Sequence, residues 1–286
     1  MMFGTRLAEA MDEHGPLCVG IDPHEHLLAS WGLPCSAEGV REFALRTVAE
    51  LKGSVAAVKP QSAFFEQYGS AGVAALEETL AAAKDAGILS VLDVKRGDIG
   101  STMAAYATAY LDSASALAAD SITVSPFLGF GALEPAFELA AVHGKGVFVL
   151  ALTSNPEGAE VQHARGSHGS VAGTIVDRVA DRNRQVLAEA GGRQEGLGPF
   201  GLVVGATIGS AADELGIDPG GCRGPILAPG VGAQGAGAAE LREVFGTRSL
   251  ASNQVLATAS RAVLEAGPDE LARAARDLNR SLDGLG

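Results

Sequence analysis

The chain has 286 residues, enough to bury a substantial core as one large α/β domain or two smaller ones. With 47% hydrophobic residues, 5% aromatic residues and 38 glycines, it reads as an Ala/Gly/Val-rich α/β protein with many tight turns. The net charge of −13 argues against a nucleic-acid or anionic-membrane partner, but leaves room for a small anionic ligand held in a local basic pocket.

Short apolar runs of strand type alternate with segments of helical pattern. PLCVGID (16–22) ends in Asp22. The following SAEGVREFALRTVAELKG opens on Ser36, a residue suited to cap a helix. SVAAVKP (54–60) ends in Lys59-Pro60, and GVAALEETLAAAKDAG predicts an amphipathic helix closed by Gly87. The run at 89–95 follows, then SITVSP (121–126), VFVLALTSN (147–155), FGLVVGAT (200–207), PILAPGVG (225–232) and NQVLATASR (253–261). Eight such runs, each followed by a segment able to form a helix, imply a parallel sheet with right-handed crossovers. Without a composition break, they predict a single (β/α)8 TIM barrel domain over residues 1–286 rather than an open doubly wound sheet. The longest interval, from 147 to 200, predicts an enlarged loop after strand 5, SNPEGAEVQHARGSHGSVAGT, and the helix TIVDRVADRNRQVLAEAG. Such a loop is either a lid or a plain surface insertion.

The densest chemistry lies in LSVLDVKRGDIGST (89–102). Alternation along a strand places Val91, Asp93 and Lys95 on one face and Leu92 and Val94 on the other. Opposite charges at the end of an apolar strand are costly to bury unless they satisfy each other. A structural ion pair is one reading. The carboxyl ends of parallel strands are also where α/β enzymes keep their chemistry. In a barrel, Asp22, Lys59, Asp93, Lys95, Ser154, PGVGAQG and Ser260-Arg261 share one rim, and a purely structural barrel needs no such set of charges there.

PGVGAQG (229–235) contains G-x-G-x-x-G, but it follows the seventh strand, whereas a dinucleotide fingerprint belongs to the first unit of its domain. Barrels bind phosphate with the loops after strands 7 and 8. There Gln234 can add an amide donor and Arg261 a bidentate grip. His24-Glu25-His26 resembles the H-x-H of metal-dependent hydrolase barrels. That reading needs further histidines at later strand ends and an aspartate at strand 8, where Arg261 stands. A solvated loop is preferred and no metal is expected. Thr153-Ser154-Asn155-Pro156 is a turn or a set of hydrogen-bonding groups for a polar heterocycle.

Cys18, Cys35 and Cys222 lack C-x-x-C spacing and leave an odd one over, which suits a reducing cytoplasm. The stretch MMFGTRLAEAMDEHG carries Asp and Glu and no apolar h-region, so no signal peptide is expected, and no run approaches the roughly 18 apolar residues of a membrane span. A soluble, cytoplasmic protein is the expectation.

D-V-K-R-G-D-I-G-S-T resembles the D-x-K-x-x-D signature of the orotidine 5′-monophosphate decarboxylase family. The resemblance extends to Asp22 at strand 1, Lys59 at strand 2, Thr-Ser-Asn-Pro after strand 5, P-G-V-G-A-Q-G after strand 7 and Ser-Arg at strand 8. Length and the enlarged segment are similar to the longer bacterial branch. D-x-K-x-x-D alone is shared with sister decarboxylases and aldolases; together with Lys59 and the Gln/Arg phosphate loops it is highly specific. Gly100-Ser101 departs from the Pro-Asn common in shorter members, which touches the turn and not the acid–base groups.

The resemblance implies decarboxylation of orotidylate to uridylate without a cofactor, the last step of pyrimidine nucleotide synthesis. By matching position it implies an alternating network of Lys59, Asp93, Lys95 and Asp98, with Lys95 as the proton donor. It assigns Asp22 to the ribose, Ser154 to the pyrimidine, and Gln234 with Arg261 to the phosphate. It also implies a homodimer in which Asp98 and Thr102 reach the partner's active site. Three alternatives stand beside it: a Mg2+-dependent sugar-phosphate decarboxylase or aldolase of the same superfamily, a metal-dependent hydrolase using His24 and His26, and a non-catalytic nucleotide-binding barrel.

Overall fold

The computed structural model describes residues 1–167, 169–190, 196–232 and 235–282. Eight parallel strands close into a barrel in chain order: β1 (Leu17–Ile21), β2 (Ala57–Pro60), β3 (Leu89–Arg96), β4 (Ser121–Val124), β5 (Gly146–Leu152), β6 (Phe200–Val204), β7 (Ile226–Pro229) and β8 (Val255–Ala259). Closure comes from β8 returning to β1, with Leu17 opposite Ala257 and Val19 opposite Ala259. The expected (β/α)8 architecture is the one observed. Among the described residues no helix is long and apolar enough to cross a membrane.

Local sequence sets the crossovers. Ser36 accepts a hydrogen bond from Gly39 N at 3.2 Å and so starts the helix Ala37–Leu51. Gly87, at φ 75°, ends the helix Gly69–Ala86 in the left-handed conformation that glycine adopts without a side-chain clash. The enlarged segment after β5 holds a short helix, Ala159–Gln162, and a small hairpin pairing Arg165 with Ser170 and Gly166 with Gly169. Ser170 then caps the helix Val171–Glu189 through Gly173 N, so this helix begins three residues before the predicted Thr174.

Outward-facing strand residues such as Val19, Leu92, Ile122 and Val149 pack under the surrounding helices. Inward-facing Cys18, Ala57, Val91, Phe148, Val203, Leu227 and Leu256 form a separate cluster with Phe3, Leu7 and Met11. Those last three lie one helical turn apart along the helix Phe3–His14, which plugs the amino-terminal end of the barrel. Phe3 meets Phe148 edge to face at 5.9 Å, and Gly146 carries no side chain where the Phe3 ring lies. Phe3 and Leu7 are fully buried, and each contributes roughly 1.5–3 kcal/mol of burial free energy. Arg6 ties the same helix to the barrel through Asp120 at 2.8 Å and the Gly144 carbonyl at 3.1 Å.

One irregularity matters for the site. Leu92 pairs with Ile122, yet Arg96 pairs with Val124, so β3 carries two more residues than β4 between those points. The extra residues fall in the segment Asp93-Val94-Lys95.

Candidate active site

Above the apolar floor, the carboxyl ends of the strands surround a cavity of about 530 Å³, lined among others by Asp22, Lys59, Asp93, Lys95, Ser154 and Arg261. Five of these six come from five different strand ends, and Lys95 shares β3 with Asp93. A closed barrel brings together residues this far apart in sequence.

Asp93 is the hub. Its Oδ2 accepts from Lys59 Nζ and Gln61 Nε2, both at 3.1 Å, and its Oδ1 accepts from Lys95 Nζ and Thr123 Oγ1, both at 2.7 Å. Only 7% of Asp93 is exposed, and burial alone would push its pKa up. The Lys59 and Lys95 ammonium groups and the two bonds to Oδ1 overcome this and hold the carboxyl well below the usual carboxylate range. Burial likewise works against charge on Lys59, but Asp22 and Asp93 outweigh it and keep the pKa above the ordinary lysine value. The Cys18 thiol lies deeper still, pushed up to about 12 chiefly by burial, and is therefore a packing group and not a nucleophile.

Asp22 Oδ1 lies 3.9 Å from Lys59 Nζ, an ionic contact too long for a hydrogen bond. That oxygen is buried and, among the described residues, accepts no hydrogen bond, its one charged neighbour being Lys59. Lys95 differs from Lys59: its side chain is 46% exposed and reaches the cavity with one side paired to Asp93. Ser154 and Arg261 are exposed at the rim. Thr153, next to Ser154, is gripped by Gln162, which accepts from Thr153 N at 2.9 Å and donates to Thr153 Oγ1 at 2.7 Å. The enlarged segment thus braces the end of β5.

The β7 loop turns on Gly230 and Gly232, at φ 114° and 77°, and a side chain on Gly232 would strike Ala262. This loop therefore packs directly on the turn that carries Arg261. Gln234 lies outside the described residues, as does His168.

Asp98 and Thr102 are not brought to this chain's cavity. Asp98 Oδ1 accepts from Ile99 N at 2.8 Å, and among the described residues it makes no ion pair with Lys95. Thr102 is exposed in the first turn of the helix Gly100–Leu111. Within one chain the charge alternation is therefore Lys59–Asp93–Lys95. Beside Asp98, Ile99 is 62% exposed, and the adjoining loop after β4 exposes Phe127 (76%) and Leu128 (54%).

Gln61 and Thr123 are site residues that the sequence alone does not single out. Thr123 had a signal, a hydroxyl in an otherwise apolar strand run, but its facing depends on the register. His24 and His26 line the cavity, their rings 5.5 Å apart, with Phe64 against His24 at 4.4 Å. Among the described residues no group of three or more His, Cys, Asp or Glu is arranged to hold a metal ion.

Residues 15–277 match the model of the orotidine 5′-phosphate decarboxylase / HUMPS family. The chain belongs to this family. A Salinispora tropica protein named orotidine 5′-phosphate decarboxylase is 57% identical over 271 residues, covering 94% of this chain and 92% of the relative. The Streptomyces coelicolor protein of the same name is 54% identical over 269 residues, covering 93% and 91%. A Streptomyces avermitilis crystal structure superposes with a TM-score of 0.90 at 51% identity, covering 99% of this chain and 95% of the other. In this member of the decarboxylase family, one buried ammonium, one carboxylate and one accessible ammonium are fixed in a row. Such a row can repel a second anion near Asp93, stabilise negative charge that develops beside Lys95, and deliver a proton there.

Proposed function

We propose that the chain decarboxylates orotidine 5′-monophosphate to uridine 5′-monophosphate, the last step of pyrimidine nucleotide synthesis. The single observation that carries this is Asp93, fixed between Lys59 at 3.1 Å and Lys95 at 2.7 Å in a cavity with Arg261 at its rim. The names of the 57% and 54% identical relatives support the same reaction.

Loss of CO2 breaks the bond between the ring carbon and the carboxylate and leaves the electron pair in the ring plane, where the π system cannot delocalise it. Fixed charge must take the place of an electron sink. Lys95 is the more accessible of the two ammonium groups that line the cavity; it stabilises the carbanion and transfers a proton from Nζ to that carbon. Asp93 lies beside the substrate carboxylate on this reading and disfavours its charge until CO2 departs. Asp22, which lines the cavity, takes the ribose, Ser154 takes the pyrimidine, and Gln234 with Arg261 takes the phosphate. The phosphate grip lies away from the reacting carbon, and its binding energy can be realised in the transition state. No cofactor enters these steps.

Asp98 and Thr102 complete the site of a partner protomer in a homodimer. The exposed apolar residues Ile99, Phe127 and Leu128 beside them support this placement, since a patch of that kind favours burial against another surface. A cytoplasmic location accords with three free cysteines. Lys59 speaks against the Mg2+-dependent sister reaction, which places an acidic residue at that position.

The test is the ultraviolet absorbance of orotidylate mixed with the purified protein in EDTA. Rapid loss of the orotate chromophore is the expected result. No change, with uridylate still bound, would move the function to a sister activity or a binding role.

A further inference from the structure

We infer that Thr123 is a positioning residue whose hydroxyl locks the irregular end of β3 and so aims Asp93 and Lys95 at the substrate. This rests on the reading of those two side chains as the reacting groups.

The backbone needs such a lock. Between Leu92 and Arg96 the β3 strand has two residues more than its β4 neighbour, and Thr123 is the one β4 residue that faces this excess. Extra residues in a strand lose their ladder partners and re-aim their side chains. Lys95 also sits at φ 45°, the left-handed region that a lysine occupies only when its surroundings hold it there. The ladder resumes just beyond, where Ser125 N donates to Arg96 O at 2.8 Å.

Thr123 supplies the missing partner with its side chain. The Lys95 N–H donates to Thr123 Oγ1 at 3.0 Å, and the Thr123 hydroxyl donates its proton to Asp93 Oδ1 at 2.7 Å. Lys95 Nζ returns to that same Oδ1 at 2.7 Å, so backbone, hydroxyl, carboxylate and ammonium form a closed ring. Each member has one role to fill: having accepted from the amide, the hydroxyl has its only proton left for the carboxylate. Thr123 is 1% exposed, and its branched side chain has little rotational freedom in a strand. An inward hydroxyl there would be costly to bury without partners, and both of its partners belong to the reacting pair.

Thr123→Val keeps the shape and removes both hydrogen bonds; Thr123→Ser keeps both bonds. T123V is expected to lower kcat roughly 10- to 100-fold, as for a reacting group displaced by about 1 Å. Its affinity for uridylate should change less than about threefold, because the ribose, base and phosphate groups sit on other strands. T123S should stay within about threefold of the parent in both. If T123V fails to fold, T123A measured against T123S gives the same comparison. The inference is overturned by near-parental kcat in T123V, by a parallel fall in uridylate affinity, or by equal damage in T123S. Lys95→Ala run alongside separates the two levels. Near-normal turnover in K95A would defeat the reading of the reacting groups, whereas an inactive K95A with an unimpaired T123V would defeat only the role of Thr123.

Discussion

Asp93→Asn puts the charge network under the most direct load. The parent carboxylate accepts four hydrogen bonds, two on each oxygen. Asparagine must turn an NH2 toward one of those pairs of donors, and it removes the charge in either orientation. The side chain of Lys59 is only 7% exposed, so its ammonium cannot turn to water instead. At an effective dielectric constant of about 20, unit charges at 3.1 Å attract by about 5 kcal/mol and at 3.9 Å by about 4 kcal/mol. D93N thus removes the nearer partner and leaves Asp22. Breaking a buried pair costs about 3–5 kcal/mol; with Asp22 in place we expect about 3 kcal/mol.

The pH dependence gives this prediction a sign. The Asp93 pKa is held below its ordinary 3.8, so its contribution is complete above that value and is lost as pH falls toward the depressed one. Asparagine does not titrate. The stability gap between parent and D93N should therefore be full at pH 7 and narrow below about pH 4. Urea unfolding can be followed by Trp31, the one tryptophan, which is buried with its ring 4.1 Å from that of Phe43. A gap under about 1 kcal/mol at pH 7, or one that fails to narrow in acid, would refute the proposed anchoring.

Mixing inactive Lys95→Ala and Asp98→Asn proteins after partial unfolding should restore roughly a quarter of parental turnover, because each hybrid dimer rebuilds one intact site. No restoration, with hybrids demonstrated, would place Asp98 outside the partner's site. Arg261→Ala should weaken uridylate by about 10- to 100-fold and leave uridine unchanged, as calorimetry would show; this is the scale of a lost charge-assisted hydrogen bond. Phe3→Ala should cost about 3–5 kcal/mol in denaturant while the surviving folded protein keeps its KM, since Phe3 lies in the floor and not in the cavity.

The barrel was legible because each strand is a short apolar run bounded by turn residues, and because Ser36 and Gly87 mark helix ends by chemistry that acts locally. The ring of charges was legible because Asp22, Lys59 and Asp93 stand at the ends of those runs. The helix Phe3–His14 went unread as a barrel plug: Phe3, Leu7 and Met11 form an amphipathic stripe, but nothing local says that it closes a barrel. Thr123 and Gln61 escaped for a related reason. A hydroxyl inside Ser-Ile-Thr-Val gains meaning only when the uneven pairing of β3 with β4 sets it opposite Lys95. The expected contact of Asp98 with the charge row is not made within one chain; the resemblance assigns it to a partner protomer.

The plug beneath the barrel also bears on where a proton can enter. Among the described residues the floor beneath the cavity is largely apolar, built from Phe3, Leu7, Phe148 and Leu227, which favours the open carboxyl-terminal mouth as the path for water. On the proposed chemistry, each turnover spends one proton from Lys95, and that proton must be restored through the mouth that admits the nucleotide. Entry of substrate and recharging of the lysine then share one doorway and take turns. On that chemistry the enzyme is ready for the next orotidylate only after the departing uridylate has let solvent back to Lys95, which would couple product release to recovery of the acid.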